Sequence, residues 1–178
     1  MSFQKLTIEE YQLQLESKKS TPSGGSALAL TLETAASLCL MVCNLTVNKK
    51  GYEEVREQVM NYIETVLKIK EEAKKLMDED SVAFDALMLA FKNKDQDEIA
   101  SKAIYSAMVP FRLFKEAKKL QQIAEVLKDI GNKNVQSDAV IAIDLCRAIY
   151  HGSILNIQAN IPYITDIKVI DELNTILN

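Results

Sequence analysis

Apolar residues along this chain recur in steps of three and four. From Glu53 to about Lys92 the polar run is interrupted at Val55, Val59, Ile63, Val66, Ala73, Leu76, Val82, Phe84, Leu87, Met88 and Phe91, which predicts one long amphipathic helix. The stretch from Ala27 to Val47 is different, being apolar nearly all round, as a helix at the centre of a bundle must be. Glu33 stands near its middle, and a lipid-facing helix would carry a penalty of several kcal/mol for that carboxylate, so we assign a core helix and expect no membrane span.

Helix punctuation completes the pattern. Thr7-Ile8-Glu9-Glu10 has capping-box form and opens a first helix running to about Ser17. Asp95 to Glu98 offers another cap, before a helix that passes Ile104 and Met108, is disturbed at Pro110 and resumes to about Ile130. Gly131-Asn132-Lys133-Asn134 breaks the chain; a helix from about Ser137 then reaches Asn160, and a short one starts at Thr165. No run alternates with period two. The expectation is an all-α chain, an antiparallel up-and-down bundle of about five to six helices forming one domain over residues 1–178.

Charge narrows the function. A net charge of −4 and the absence of Trp argue against a general nucleic-acid binder, although Lys49-Lys50 is a local basic pair. Cys39 and Cys43 share a helix face at a spacing that suits a metal. The only histidine, His151, is distant in sequence, so these thiols and Cys146 read as reduced core residues of a cytoplasmic protein, with no metal. "MSFQKLTIEEYQ" carries no export signal.

Several polar groups are candidates for chemistry. Pro22-Ser23-Gly24-Gly25-Ser26 precedes a helix whose first amides are unpaired; the pair of glycines is either a tight turn between packed helices or a place where a ligand meets bare backbone. Glu33 is either a carboxyl with a raised pKa or the partner of a neighbouring lysine. Asp80 and Asp85 lie five residues apart, about 140° around a helix, so they form no dyad. Asn132, Asn134, Ser137 and Asp138 crowd one helix entrance, where Asn134 or Ser137 could be a cap. Asn156 and Asn160 face the same way one turn apart.

Five blocks carry a resemblance: "TPSGGSALALTLETAASLCLMVCNLTVNKKGYEEV", "DEDSVAFDALMLAFK", "AMVP", "GNKNVQSDAVIAIDLCRA" and "NIQANI". In their order and separation they resemble the cyclodeaminase/cyclohydrolase family of folate metabolism, over almost the entire chain. "MVCNLTVNKK" and "GNKNVQSDA" are more similar to its stand-alone methenyltetrahydrofolate cyclohydrolases than to formiminotetrahydrofolate cyclodeaminases. The resemblance implies an all-helical homodimer with a reduced folate held between helices and at the subunit boundary, and no cofactor beyond that tetrahydrofolate substrate. The two reactions it implies are the opening of 5,10-methenyltetrahydrofolate by water and the attack of N10 on a 5-formimino carbon with loss of ammonia. Either requires a group that moves a proton. Asp138 is the first choice for that carboxylate and Asp80 the alternative; Gly24, Gly25 and Ser26 would approach the folate, with Asn132, Asn134, Ser137 and Asn160 as polar contacts and Lys49 or Lys50 on the glutamate tail.

The chain also departs from the family pattern. P-x-P-G-G-G-S becomes Ser20-Thr21-Pro22-Ser23-Gly24-Gly25-Ser26, the acid usual near the end of the first helix falls at Leu13 or Gln14, and the loop after "AF" is reduced to "KNKDQDE". Three functions follow as alternatives: a working folate enzyme, a catalytically silent relative that binds folate or another ligand as a regulatory subunit, and a bundle serving assembly alone.

Overall fold

The computed structural model describes residues 2–177. Among these residues six α-helices carry the fold: α1 (Ile8–Leu15), α2 (Gly24–Val47), α3 (Arg56–Asn93), α4 (Gln96–Ile130), α5 (Gln136–Asn160) and α6 (Ile167–Asn174). Among the described residues there is no strand. The all-α bundle expected from the periodicity is what forms.

The central position of α2 follows from its sequence. It packs against α3, α4 and α5, and Ala29, Leu32, Ala35, Ala36, Cys39, Val42 and Cys43 are fully buried along it. Its polar side chains are accommodated locally: Thr31, Thr34, Ser37 and Thr46 each donate to the carbonyl four residues back, so their hydroxyls need no distant partner. Although α2 and the stretch 133–163 are long and apolar enough to cross a membrane, the faces just described are core. At Gly152 α5 leaves room for the Leu28 side chain of α2, whose terminal methyls would lie 2.7 Å from a Cβ there.

Element ends correct the sequence reading in detail. The Thr7–Glu10 capping box forms, but α1 stops at Leu15. The long third helix starts at Arg56, after a 3₁₀ turn at Glu53–Val55, and Lys94 closes it with a left-handed backbone at φ 58°. Asp95 caps α4 through the amides of Asp97 and Glu98, and α4 then runs unbroken through Pro110. Proline lacks an N–H, so the carbonyl of Ser106 loses its helical donor without ending a helix held on both sides by packing. Neither Asn134 nor Ser137 caps α5; Asn132 caps the 3₁₀ turn Lys133–Val135 that leads into it. The last helix begins at Ile167, behind an Asp166 cap.

Two apolar clusters result. The larger joins α1 to α5, and the smaller gathers Leu87, Ala90, Ile99, Ala103, Ala107, Phe111, Ile157, Ile164 and Leu173 at the far end of α3, where α6 closes the bundle. Leu32 and Leu113 are fully buried in the larger one. Truncating either to alanine leaves a cavity in the interior and should cost about 2–5 kcal/mol of unfolding free energy, read from denaturant titration at neutral pH.

Candidate functional site

The first turn of α2 meets the middle of α3 through one carboxylate. Asp80 Oδ2 accepts from the backbone N–H of Ser26 at 2.9 Å and from the Ser23 hydroxyl at 3.4 Å. Its carboxylate lies against Gly25 so closely that a Cβ there would fall 1.9 Å from Oδ1 and 2.5 Å from Cγ. That answers what the second glycine is for: it gives the carboxylate access to an amide at the positive end of a helix. Gly24, in contrast, has nothing within 4 Å of a Cβ. The Thr21–Pro22 peptide that leads into this turn is cis.

A further layer holds the turn in place. Ser26 is fully buried, and its Oγ lies 3.1 Å from the hydroxyl of Tyr11 on α1, itself 4% exposed. Phe3 stands edge-on to the Tyr11 ring, while Ser2 Oγ and the Phe3 amide donate to Asp78 at 2.6 and 2.8 Å. The N-terminal arm is thus fastened two residues before Asp80.

Asp80 opens onto a cleft of about 360 Å³. Phe84, Leu87, Met88 and Phe91 continue its row on α3, Ser106 comes from α4, and Asn156 and Asn160 come from the end of α5 with Tyr163 beyond them. Phe91 and Tyr163 meet edge to face at 4.9 Å between ring centres. Asn160 Nδ2 donates to the Asn156 carbonyl at 2.8 Å, which fixes the amide at the rim. Among the described residues no Lys, Arg or His lines this cleft. Burial pushes the Asp80 carboxyl above the usual aspartate range, and the Ser26 amide and Ser23 hydroxyl pull it only partly back.

The structure divides the residues singled out in the sequence into two groups. Gly24, Gly25, Ser26, Asp80 and Asn160 gather at one end of the bundle. Lys49, Lys50, Asn132, Asn134, Ser137 and Asp138 sit at the other, across a helix roughly 36 Å long at 1.5 Å per residue. There Lys49 Nζ donates to Asn132 Oδ1 at 2.6 Å, and Asn132 is held by Thr46 Oγ1 and the Leu45 carbonyl. Lys50, Asn134 and Ser137 are exposed, and Asp138 is half-buried in the first turn of α5. Within one chain Asp138 therefore cannot act on a group held at Gly24 and Asp80. Asp138 and Asp80, the two alternatives for the proton-moving carboxylate, thus stand at opposite ends of the bundle, because α2 and α5 run antiparallel.

Other candidates resolve differently. Glu33 is half-buried beside Phe3, Leu6, Tyr11 and Met77, close enough to Lys74 to help raise that ammonium's pKa after the larger effect of Glu71. Asp85 is exposed on a neighbouring face of α3 from Asp80, in keeping with the absence of a dyad. Cys39, Cys43 and Cys146 are buried free thiols; burial pushes all three up, Cys43 and Cys146 to about 12. Among the described residues no group of three or more His, Cys, Asp or Glu is placed to hold a metal ion. Missed in the sequence were Ser23, Phe84, Phe91, Ser106 and Tyr163, which line the cleft, and Tyr11 behind it. The row Asp80-Phe84-Met88-Phe91 could have been found by following the helix face upward from Asp80.

Comparison with known proteins finds relatives over most of the chain. The methenyltetrahydrofolate cyclohydrolase of Methylorubrum extorquens is 34% identical over 163 residues, covering 86% of this chain and 78% of that protein. The formimidoyltransferase-cyclodeaminase of Gallus gallus is 26% identical over 160 residues; the match takes in 85% of this chain but only 30% of the much longer chicken protein. The crystal structure of formiminotetrahydrofolate cyclodeaminase from Thermotoga maritima superposes with a TM-score of 0.93 at 29% identity, over 98% of this chain and 87% of that one. The family described as Formiminotransferase-cyclodeaminase matches residues 7–178, and the chain belongs to it.

Proposed function

We propose that this chain is an enzyme of folate one-carbon metabolism, and that its reaction is the hydrolysis of 5,10-methenyltetrahydrofolate to 10-formyltetrahydrofolate. The observation that carries this reading is Asp80, a partly desolvated carboxylate fixed by a helix-terminal amide in the wall of a cleft lined by no cationic side chain. Such a wall favours a substrate whose one-carbon unit is a cation over its neutral product. The Methylorubrum extorquens relative, named for this activity, supports the choice.

The chemistry asks little of the protein beyond placement and one proton acceptor. Water adds to the amidinium carbon, forming a C–O bond as Asp80 takes a proton. The resulting carbinolamine collapses with cleavage of the C–N5 bond. Of the two protons that leave the water, one ends on N5 and the other in solvent, leaving the formyl group on N10. Asp80 also faces the cation before attack, and the Ser26 N–H steadies the carboxylate while its charge changes. Phe91 and Tyr163 supply apolar walls, and Asn160 a polar rim.

Cyclodeamination is the second reading, and the first helix weighs against it. At the position of the acid that the family pattern leads one to expect there, Leu13 is 57% exposed and Gln14 cannot accept a proton. In our reading the enzyme is a cytoplasmic homodimer, for which two features speak. Met41, Leu45, Val140 and Ile141 are exposed apolar residues on α2 and α5, and the buried thiols suit a reducing compartment. All four apolar residues lie in the last turns of α2 and the first turns of α5, so pairing two copies across them would bring the Lys49, Asn132 and Asp138 blocks to the seam.

Loss of the methenyl chromophore, measured against its uncatalysed decay, tests the activity directly. Asp80→Asn should slow turnover on the order of a hundredfold or more. No acceleration by the wild-type protein would leave cyclodeamination or a silent folate binder, which the formimino substrate separates. Turnover should fall on acidification as Asp80 protonates, with a midpoint above the ordinary aspartate value of 3.8.

The same raised pKa has a thermodynamic sign. The folded state holds the Asp80 proton more tightly than the unfolded chain, so stability from this group declines as pH rises from about 3.8 through the folded pKa. Asp80→Asn keeps an acceptor for Ser26 and removes the buried charge; at neutral pH it should raise the melting temperature although turnover falls. A lowered melting temperature would show that the carboxylate stabilises the fold.

Gly25→Ala and Gly24→Ala form a matched pair for the close approach. The first should displace the Asp80 carboxylate and lose at least about tenfold in kcat, whereas the second should keep turnover within about twofold. Equal effects at both positions would mean that the contact at Gly25 does not position the reacting carboxylate.

A further inference from the structure

A second cavity, of about 580 Å³, has Thr21 on its wall, two residues before the Ser23 and Gly24 that border the cleft. Its character is different. Away from Asp80 the cleft is lined by apolar and neutral polar side chains, whereas this cavity has the charged side chains of Lys19, Asp78 and Asp85 on its wall, with Gln14, Ser81 and the ring of Phe3. Ser81 is 7% exposed, and its Oγ is fully buried with no hydrogen-bond partner. A buried hydroxyl left without a partner costs free energy unless something supplies one. Ser81 stands next to Asp80 and one helical turn before Asp85, so the two cavities are served by neighbouring rows of the same helix.

The carboxylates in this cavity are not equivalent. Asp78 already receives the Ser2 hydroxyl and the Phe3 amide, while Asp85 makes no hydrogen bond or ion pair with any other described residue. One turn of helix therefore presents an unused carboxylate and an unused hydroxyl about 5–6 Å apart, beside an aromatic ring. A fused 2-amino-4-oxopyrimidine matches that set. Its ring N–H and amino group form a two-pronged donor for a carboxylate, as a guanidinium does, its oxo group takes a hydroxyl or amide donor, and its flat face lies on an aromatic ring.

We propose that this polar cavity receives the pteridine end of the substrate, bound by Asp85 and Ser81, while the p-aminobenzoyl group lies in the Phe91–Tyr163 cleft. The one-carbon bridge between them then crosses the exposed Ser23–Gly24 rim beside Asp80. This assignment rests on the folate reading and adds the direction in which the molecule lies.

Binding can be measured without turnover, which separates the two claims. Pterin itself (2-amino-4-oxopteridine) is titrated by its fluorescence into the full-length protein, and p-aminobenzoyl-glutamate is titrated in parallel. Ser81→Ala and Asp85→Ala should each weaken pterin binding at least about tenfold and leave p-aminobenzoyl-glutamate unchanged; Phe91→Ala should do the reverse. Absence of pterin binding by the wild-type protein up to the solubility limit overturns the proposal, as does pterin binding that both α3 variants leave intact or that Phe91→Ala abolishes. Methenyl turnover by the wild-type protein with any of those results would leave the folate reading standing and remove only this assignment.

Discussion

Everything at the working end of this bundle depends on the contact between the Asp80 carboxylate and the first turn of α2. That contact requires three things at once. A glycine must stand at position 25, where any Cβ would meet the carboxylate; the Ser26 amide must be unpaired, as it is because helices leave their first N–H groups without partners; and α3 must cross at that height. The crossing is set by burial along the whole α2–α3 interface, with Leu32, Ala36, Val66, Ala73 and Leu76 in one continuous core. A few ångströms at the site are therefore governed by packing far from it.

The opposing effects on Asp80 can be ordered. Burial disfavours its charge; the helix-terminal amide and the Ser23 hydroxyl favour it, and burial has the larger effect. The result is a carboxylate with greater proton affinity than a surface aspartate and a fixed orientation. Both properties are what our reading of the reaction asks of its proton acceptor, which must later release what it took. Tyr11 and the N-terminal arm enter the same balance, because they hold Ser26 and Asp78 on either side of it.

The sequence disclosed the bundle because helical signals are local. The Thr7–Glu10 box, the Asp95 cap and the three- and four-residue apolar steps each reflect physics acting within one turn or one face. Pro110 misled because its local preference is overridden by α4's packing on α3 and α5. The glycine loop was recognised, but its reason was not: Gly25 is explained by Asp80, 55 positions away, and no spacing rule links them. The family resemblance likewise delivered the blocks without their geometry, so that Asp138 and Asp80 were read as alternatives for one role although they lie at opposite ends of the chain's longest shared core.

That separation bears on why the polar block at Asn132 is so well built. Asn132 bonds Lys49, Leu45, Thr46 and the amide of Asn134, more partners than a turn between two helices needs for closure. It fixes the Lys49 ammonium at the end of α2, where the last carbonyls of a helix favour a cation. The ion is thus stabilised in place by the fold itself before any ligand is considered. The two ends of α2 are organised on one principle with opposite signs: a carboxylate at the amide end, held by the Ser26 N–H, and an ammonium at the carbonyl end, held by the Asn132 side chain from the α4–α5 connection. In a single copy these charges are too far apart to share a ligand. The outward faces of α2 and α5 stay apolar at Met41, Leu45, Val140 and Ile141, so the ammonium end of α2 stands beside exposed apolar surface while the carboxylate at the other end is half-buried against its first turn.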